Sequence, residues 1–216
     1  MPVYKTFYTH FDDHNWAKIM VWKITESVQK LSENLPLTSK SKKRLASMKS
    51  EIHQKGFLAV RKLLAECCIL DQQLFYDKTG KPFLKENLHV SISHSHDFAT
   101  IAISTVEIGI DIEQNREKII RIANKFCGSE FDFLQKIDEN YIQKLTTIWA
   151  AKESIFKIEN QKGISFKDHI SVHELNILDK KIVASLDFNG QLTYFEMHTL
   201  PVENFTLVYG TKIITL

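Results

Sequence analysis

Gly109-Ile110-Asp111-Ile112-Glu113 sets two carboxylates two residues apart inside an apolar run. Further along, Trp149-Ala150-Ala151-Lys152-Glu153-Ser154-Ile155-Phe156-Lys157 sets a third carboxylate one helical turn ahead of a lysine. In a strand, residues i and i+2 share a face, so Asp111 and Glu113 converge while Ile110 and Ile112 pack behind them. In a helix, i and i+4 share a side, which brings Glu153 beside Lys157. Hard divalent cations such as Mg²⁺ take oxygen ligands and leave positions for phosphates and water. Three carboxylates and a lysine gathered together make a seat for such a cation and a phosphate chain. Each string alone also has a plainer explanation: charges at a solvent-facing strand end, or a surface Glu–Lys pair worth about 0.3–0.5 kcal/mol.

Three further strings carry polar chemistry. Ser91-Ile92-Ser93-His94-Ser95-His96 places hydroxyls and imidazoles at a strand end, where side chains and backbone N–H groups can hold phosphate oxygens. No Gly-x-Ser-x-Gly elbow surrounds these serines, which argues against a serine hydrolase. Lys40, Lys42, Lys43, Arg44, Lys49 and Lys55 form a basic cluster. Such a run is commonly a solvated helix face, and it can also grip a phosphate or meet an acidic protein. It has too little interleaved aromatic content to indicate nucleic-acid binding. Gly80-Lys81-Pro82 closes a strong turn signal and offers one lysine to a ligand.

The elements that must position these groups follow from periodicity. Val3 to Thr9 reads as a first strand. Asp12 or Asp13 is placed to cap a helix running to about Leu31, with Trp16, Ile19, Met20 and Ile24 facing inward. A second helical region is expected from about Ser39 to Leu70. Strands are expected over Val90–Ser93, Ala99–Ser104 and Ile108–Glu113. Helices are expected over Ile119–Phe126, Glu130–Lys136 and Asn140–Glu159, the last stopping by Gly163. On that helix Trp149 and Phe156 are spaced to pack on the core, with Lys152, Glu153 and Lys157 as a charged stripe beside them. Ile170–Val172, Lys181–Phe188, Gln191–His198 and Phe205–Tyr209 alternate like antiparallel strands. The fold class is therefore α+β, with two α+β lobes, each a small antiparallel sheet with packed helices. The expected division is 1–107 and 108–216, with a binding cleft where the lobes meet.

The whole chain bounds the partners. Its 216 residues suffice for one large domain or two small ones, and a hydrophobic share of 44% supports a real core. A formal net charge of +2 gives no bulk affinity for polyanions. Cys67, Cys68 and Cys127 are odd in number and lack zinc-site spacing, so they read as free thiols of a reducing compartment. There is neither a signal-peptide pattern nor an apolar run of spanning length, so a cytoplasmic protein without a membrane is expected.

Taken in order, Gly-Lys-Pro, Ser-His-Ser, Gly-Ile-Asp-Ile-Glu and Trp-x-x-Lys-Glu-Ser-x-x-Lys closely resemble the 4′-phosphopantetheinyl transferases of the Sfp type, from about Lys40 to Gly163. The chain length fits the monomeric, pseudo-dimeric members of that family. The resemblance implies a reaction: the phosphopantetheine arm of coenzyme A moves to a serine of an acyl, peptidyl or aryl carrier protein, releasing adenosine 3′,5′-bisphosphate. It implies that Asp111, Glu113 and Glu153 bind Mg²⁺ with the pyrophosphate, that Glu153 is also the general base, and that Lys157 holds the pyrophosphate. His94 with Ser93 would contact a coenzyme A phosphate. Gly80, Lys81 and Pro82 would border the adenine, and Lys40 and Lys43 would meet the 3′-phosphate. Family members usually carry an arginine near the apolar half of the second helix. Lys55 is the nearest residue here, and it keeps the charge without the bidentate fork. Two rival functions use the same residues: a metal-dependent nuclease, or a coenzyme A-binding homologue without turnover. The usual nuclease lysine lies on the acidic strand, whereas here Gln114 and Asn115 follow Glu113.

Overall fold

A computed structural model describes residues 3–85, 87–173 and 180–213. It divides into two compact units, Met1–Val106 and Glu107–Leu216. Each is an antiparallel sheet with helices packed on it, so the chain is α+β.

The first unit begins with a hairpin of β1 (Lys5–His10) and β2 (Trp16–Lys23). This corrects the helix expected between Asp12 and Leu31. Asp12 is not a helix cap. Its Oδ1 accepts the N–H groups of His14 and Asn15, both at 2.8 Å, and so closes the turn between the strands. Only Val28–Ser32 (α1) is helical, with Ser27 accepting the Lys30 N–H as its cap. The second expected helix is two: α2 (Ser39–Ser47) and α3 (Glu51–Glu66), separated where Met48 turns extended. A small hairpin of β3 (Leu74–Tyr76) and β4 (Pro82–Leu84) follows. Then β5 (His89–Ser95) and β6 (Phe98–Ser104) complete a sheet of order β1-β2-β6-β5. Phe57, Leu58, Leu63 and Leu64 of α3 pack on Met20, Trp22, Ile101 and Ile103.

In the second unit, β7 (Gly109–Gln114) is the edge of a sheet of order β7-β11-β10-β9-β8. The other strands are β8 (Ile170–Val172), β9 (Lys181–Phe188), β10 (Gln191–Val202) and β11 (Phe205–Lys212). Lys118–Ile122 forms a short helix (α4) continued by a 3₁₀ turn. The helix expected at Glu130–Lys136 is only a 3₁₀ turn, Ser129–Asp132. The long helix α5 (Tyr141–Glu159) ends at Asn160, whose left-handed backbone (φ 50°) does the stopping expected of Gly163. Leu145, Ile148, Ile155 and Ile158 of α5 bury against Ile182, Ala184, Phe195, Met197 and Val208 of the sheet. Among the described residues, no helix is long and apolar enough to cross a membrane.

Candidate active site

Asp111 and Glu113 lie on one face of one strand. In β7, Asp111 pairs with Val208 and Glu113 with Thr206 across the ladder to β11. Val208 belongs to the core beneath α5, so Asp111 and Glu113 face that helix.

Two contacts hold α5 on β7 and β11 beside Glu153. A Cβ on Gly109 would lie 2.0 Å from the Ser154 carbonyl oxygen, so only glycine permits this approach. The Ser154 hydroxyl donates to the Val208 carbonyl at 3.1 Å. One turn later the Lys157 ammonium donates to the Ile110 carbonyl at 2.7 Å and to Asp111 Oδ1 at 2.8 Å. Lys157 is therefore not a surface partner of Glu153 alone. It is a cation seated on the acidic strand.

Electrostatics tie the three carboxylates together. Glu153 is half-buried, and burial first, then the charge of Asp111, with a smaller push from Glu113, raises its pKa to about 7 against the pull of Lys157. A carboxyl raised in this way is suited to exchanging a proton near neutrality. The carboxylate oxygens are the donor type a hard divalent cation takes, and the Lys157 ammonium occupies Asp111 Oδ1 in this arrangement. Among the described residues, no three acidic, histidine or cysteine side chains close into a complete metal cluster. A cavity of about 180 Å³ lies beside Glu113, with Arg116, Lys118, Ile119, Ile122 and Trp149 in its walls.

Lys152 departs from the sequence expectation. It is not part of a charged stripe but fully buried, with its ammonium 2.7 Å from the equally buried Glu130. Trp149 and Phe156 do reach inward, packing edge-on or tilted against Phe126 and Phe166. The pattern held a signal for Lys152. Leu145, Ile148, Lys152 and Ile155 fall at one helical face, so the lysine occupies a core position of α5.

The remaining expected residues lie in the first unit. Lys40 and Lys43 are exposed on α2. Asp71 pins that helix by accepting the Thr38 N–H and hydroxyl, both at 2.8 Å, and the Ser41 hydroxyl at 2.9 Å, while itself paired with buried Arg61. Lys55 pairs with Glu51 at 2.9 Å on α3. Gly80, Lys81 and Pro82 lead into β4 through a turn organised by Asp77, whose Oδ1 accepts the Thr79 and Lys81 N–H groups. The His94 ring lies against Gly56 of α3, where an added Cβ would come within 2.7 Å of its Cγ. Ser93 is buried, and as a neighbour on β5 its side chain takes the opposite face from His94. The structure does not bring those two side chains together. Cys127 is buried, and burial with the charge of Glu130 pushes its thiol up to about 12, which leaves it inert.

Residues 107–206 match the family model of the 4′-phosphopantetheinyl transferase superfamily. The 4′-phosphopantetheinyl transferase gsp of Aneurinibacillus migulanus is 36% identical over 107 residues, which cover 47% of this chain and 45% of that protein. The 4′-phosphopantetheinyl transferase Sfp of Bacillus subtilis strain 168 is 32% identical over 117 residues, 51% of this chain and 52% of its own length. The Bacillus subtilis protein ffp, another 4′-phosphopantetheinyl transferase, is 29% identical over 149 residues, 65% of this chain and 66% of its own. The aligned stretch spans about half the length of the first two relatives. The similarity to 4′-phosphopantetheinyl transferases expected from the motifs is present in both comparisons, and Sfp itself is among the relatives.

Proposed function

We propose that this chain transfers the 4′-phosphopantetheine arm of coenzyme A to a serine of an acyl, peptidyl or aryl carrier protein, with Mg²⁺ as cofactor. The observation that carries this reading is the convergence of Asp111, Glu113, Glu153 and Lys157 from β7 and α5, inside the stretch that matches the transferase superfamily.

In the reaction, the serine oxygen bonds to the phosphorus bearing the pantetheine arm. The bond from that phosphorus to the bridging oxygen breaks, and adenosine 3′,5′-bisphosphate leaves with the electron pair. Glu153 takes the serine proton, directly or through a water. In the metal-free site, burial and the Asp111 charge raise the Glu153 pKa to about 7, a range suited to proton exchange near neutrality. Lys157, already beside Asp111, offers its ammonium to the pyrophosphate oxygens. Asp111, Glu113 and Glu153 would hold the Mg²⁺, and the ion would supply neutralising charge for the pyrophosphate. This chemistry is chiefly positioning and charge stabilisation, which is why no nucleophilic side chain is required of the enzyme.

For the nucleotide, the residues carried over by resemblance are Lys40 and Lys43 for the 3′-phosphate, with Lys55 in the place of the usual arginine. Gly80, Lys81 and Pro82 are assigned to the adenine, and His94 and Ser93 to a phosphate. The opposite faces of the last two favour the His94 ring as a side-chain contact and the Ser93 backbone as the other. The chain is taken to act as a cytoplasmic monomer without a nucleic-acid partner, and sedimentation with a carrier protein tests its stoichiometry. The function is tested by incubating the full chain with Mg²⁺, coenzyme A and a panel of apo carriers, read by intact mass. The expected result is one added phosphopantetheine arm on at least one carrier. Unmodified carriers throughout the panel, with a known transferase succeeding beside it, contradict the reading.

A further inference from the structure

We propose that Lys152 and Glu130 are positioning residues that hold Glu153 against the acidic strand, an inference that rests on the divalent-cation site proposed above. Both side chains are entirely buried. The Lys152 ammonium lies 2.7 Å from Glu130 Oε1 and donates to three backbone carbonyls: Phe126 at 2.6 Å, Phe166 at 2.8 Å and Ile170 at 2.6 Å. Glu130 in turn accepts the N–H of Gly128 through Oε2 and of Val172 through Oε1, each at 2.8 Å. One ion pair thus ties α5 to the end of the turn at Phe126, to the segment around Phe166 and to β8.

A buried ion pair is a poor device for stability alone, because apolar side chains of similar volume often stabilise as much or more. What it fixes well is register. The four oxygens around Lys152 define where one residue of α5 must sit along and around the helix axis. Successive helical residues point about 100° apart, so seating Lys152 inward sets the direction of Glu153. Ser154, bonded to Val208 and touching Gly109, fixes the helix on the other side of Glu153. The cation ligand and base therefore sits between two anchors, one toward the core of the unit and one toward β7 and β11.

The test uses the full chain and the double variant Lys152→Met/Glu130→Gln. This variant removes both charges, keeps the volumes and leaves an amide oxygen for the Val172 N–H. Mn²⁺ binding is read by electron paramagnetic resonance, independently of turnover. With the fold verified by circular dichroism, Mn²⁺ affinity and kcat should each fall by between about 10- and 100-fold, the range seen when supports of metal ligands are removed. KM for coenzyme A should stay close to the parent's. A folded double variant with parental Mn²⁺ affinity and kcat overturns the inference. If the variant fails to fold, hydrogen exchange on the parent decides. Mn²⁺ should slow exchange at 126–130 and 166–172 as well as at 153–157, and protection confined to 111–113 and 153–157 overturns the inference. A parent that binds no Mn²⁺ is a different failure: it overturns the cation site itself, and the positioning role with it.

Discussion

Replacing Glu153 with glutamine should stabilise the metal-free protein while abolishing transfer, and the stabilisation should depend on pH in a defined way. Glu153 has its pKa raised from 4.5 to about 7, first by burial and then by Asp111. Below the unfolded-state value, both folded and unfolded chains hold the proton and the group contributes nothing. As pH rises from 4.5 toward 7, the unfolded chain ionises first, so the folded state loses stability relative to it. Above about pH 7 the loss is complete and constant. At 1.36 kcal/mol per pKa unit the full cost is about 3 kcal/mol, and partial solvent screening brings it toward half of that. For a chain of this size, such a range corresponds to a melting difference of about 3–10 °C. The assay is a set of melts in EDTA from pH 4 to 8.5, parent against Glu153→Gln. The difference should be near zero at the acid end, grow in favour of the variant and level off above pH 7. A difference that is flat across this window, or that favours the parent at pH 8, refutes the placement of Glu153 among the other carboxylates.

Lys157→Met removes the cation that pulls the Glu153 pKa down. The stability difference between Lys157→Met and Lys157→Met/Glu153→Gln, measured in EDTA, should therefore level off at a higher pH than in the parent background, and an unmoved plateau contradicts that pairing. Gly109→Ala drives a Cβ into the Ser154 carbonyl. It should cost about 3 kcal/mol or more by forcing α5 away from β7, read by urea unfolding, and it should lower Mg²⁺ affinity in whatever fraction folds. Gly56→Ala crowds the His94 ring. It should raise KM for coenzyme A by about tenfold with kcat near the parent's, the signature of lost ground-state binding, and an unchanged KM argues against His94 as a ligand contact.

The chemistry was more legible in the sequence than the elements that carry it. Asp111 and Glu113 lie in an apolar run bounded by glycine, and strand alternation alone places both on one face. Glu153 and Lys157 lie in a helix whose apolar spacing leaves little ambiguity. The first unit was harder to read. Trp16-Ala17-Lys18-Ile19-Met20-Val21-Trp22 has apolar residues at helical intervals, yet it forms a strand because β2 lies inside the sheet and is buried on both faces, which erases the alternation that would reveal it. The break between α2 and α3 at Met48 carries no proline or glycine. It is held by Gln54 donating to the Met48 carbonyl at 2.8 Å, a contact that spacing cannot foretell. Lys152 is expected in a charged stripe beside the core, since lysine is so rarely buried. The acceptors that permit its burial, Glu130 and the Phe126, Phe166 and Ile170 carbonyls, come from segments distant in sequence.

The most direct test of the central claim is a crystal structure of the full chain with coenzyme A and Mn²⁺, located by anomalous scattering. One strong peak is expected, touching carboxylate oxygens from both β7 and α5 and the coenzyme A pyrophosphate, with Lys157 on the same phosphates. A peak held elsewhere, or a pyrophosphate seated away from Asp111, Glu113 and Glu153, contradicts it.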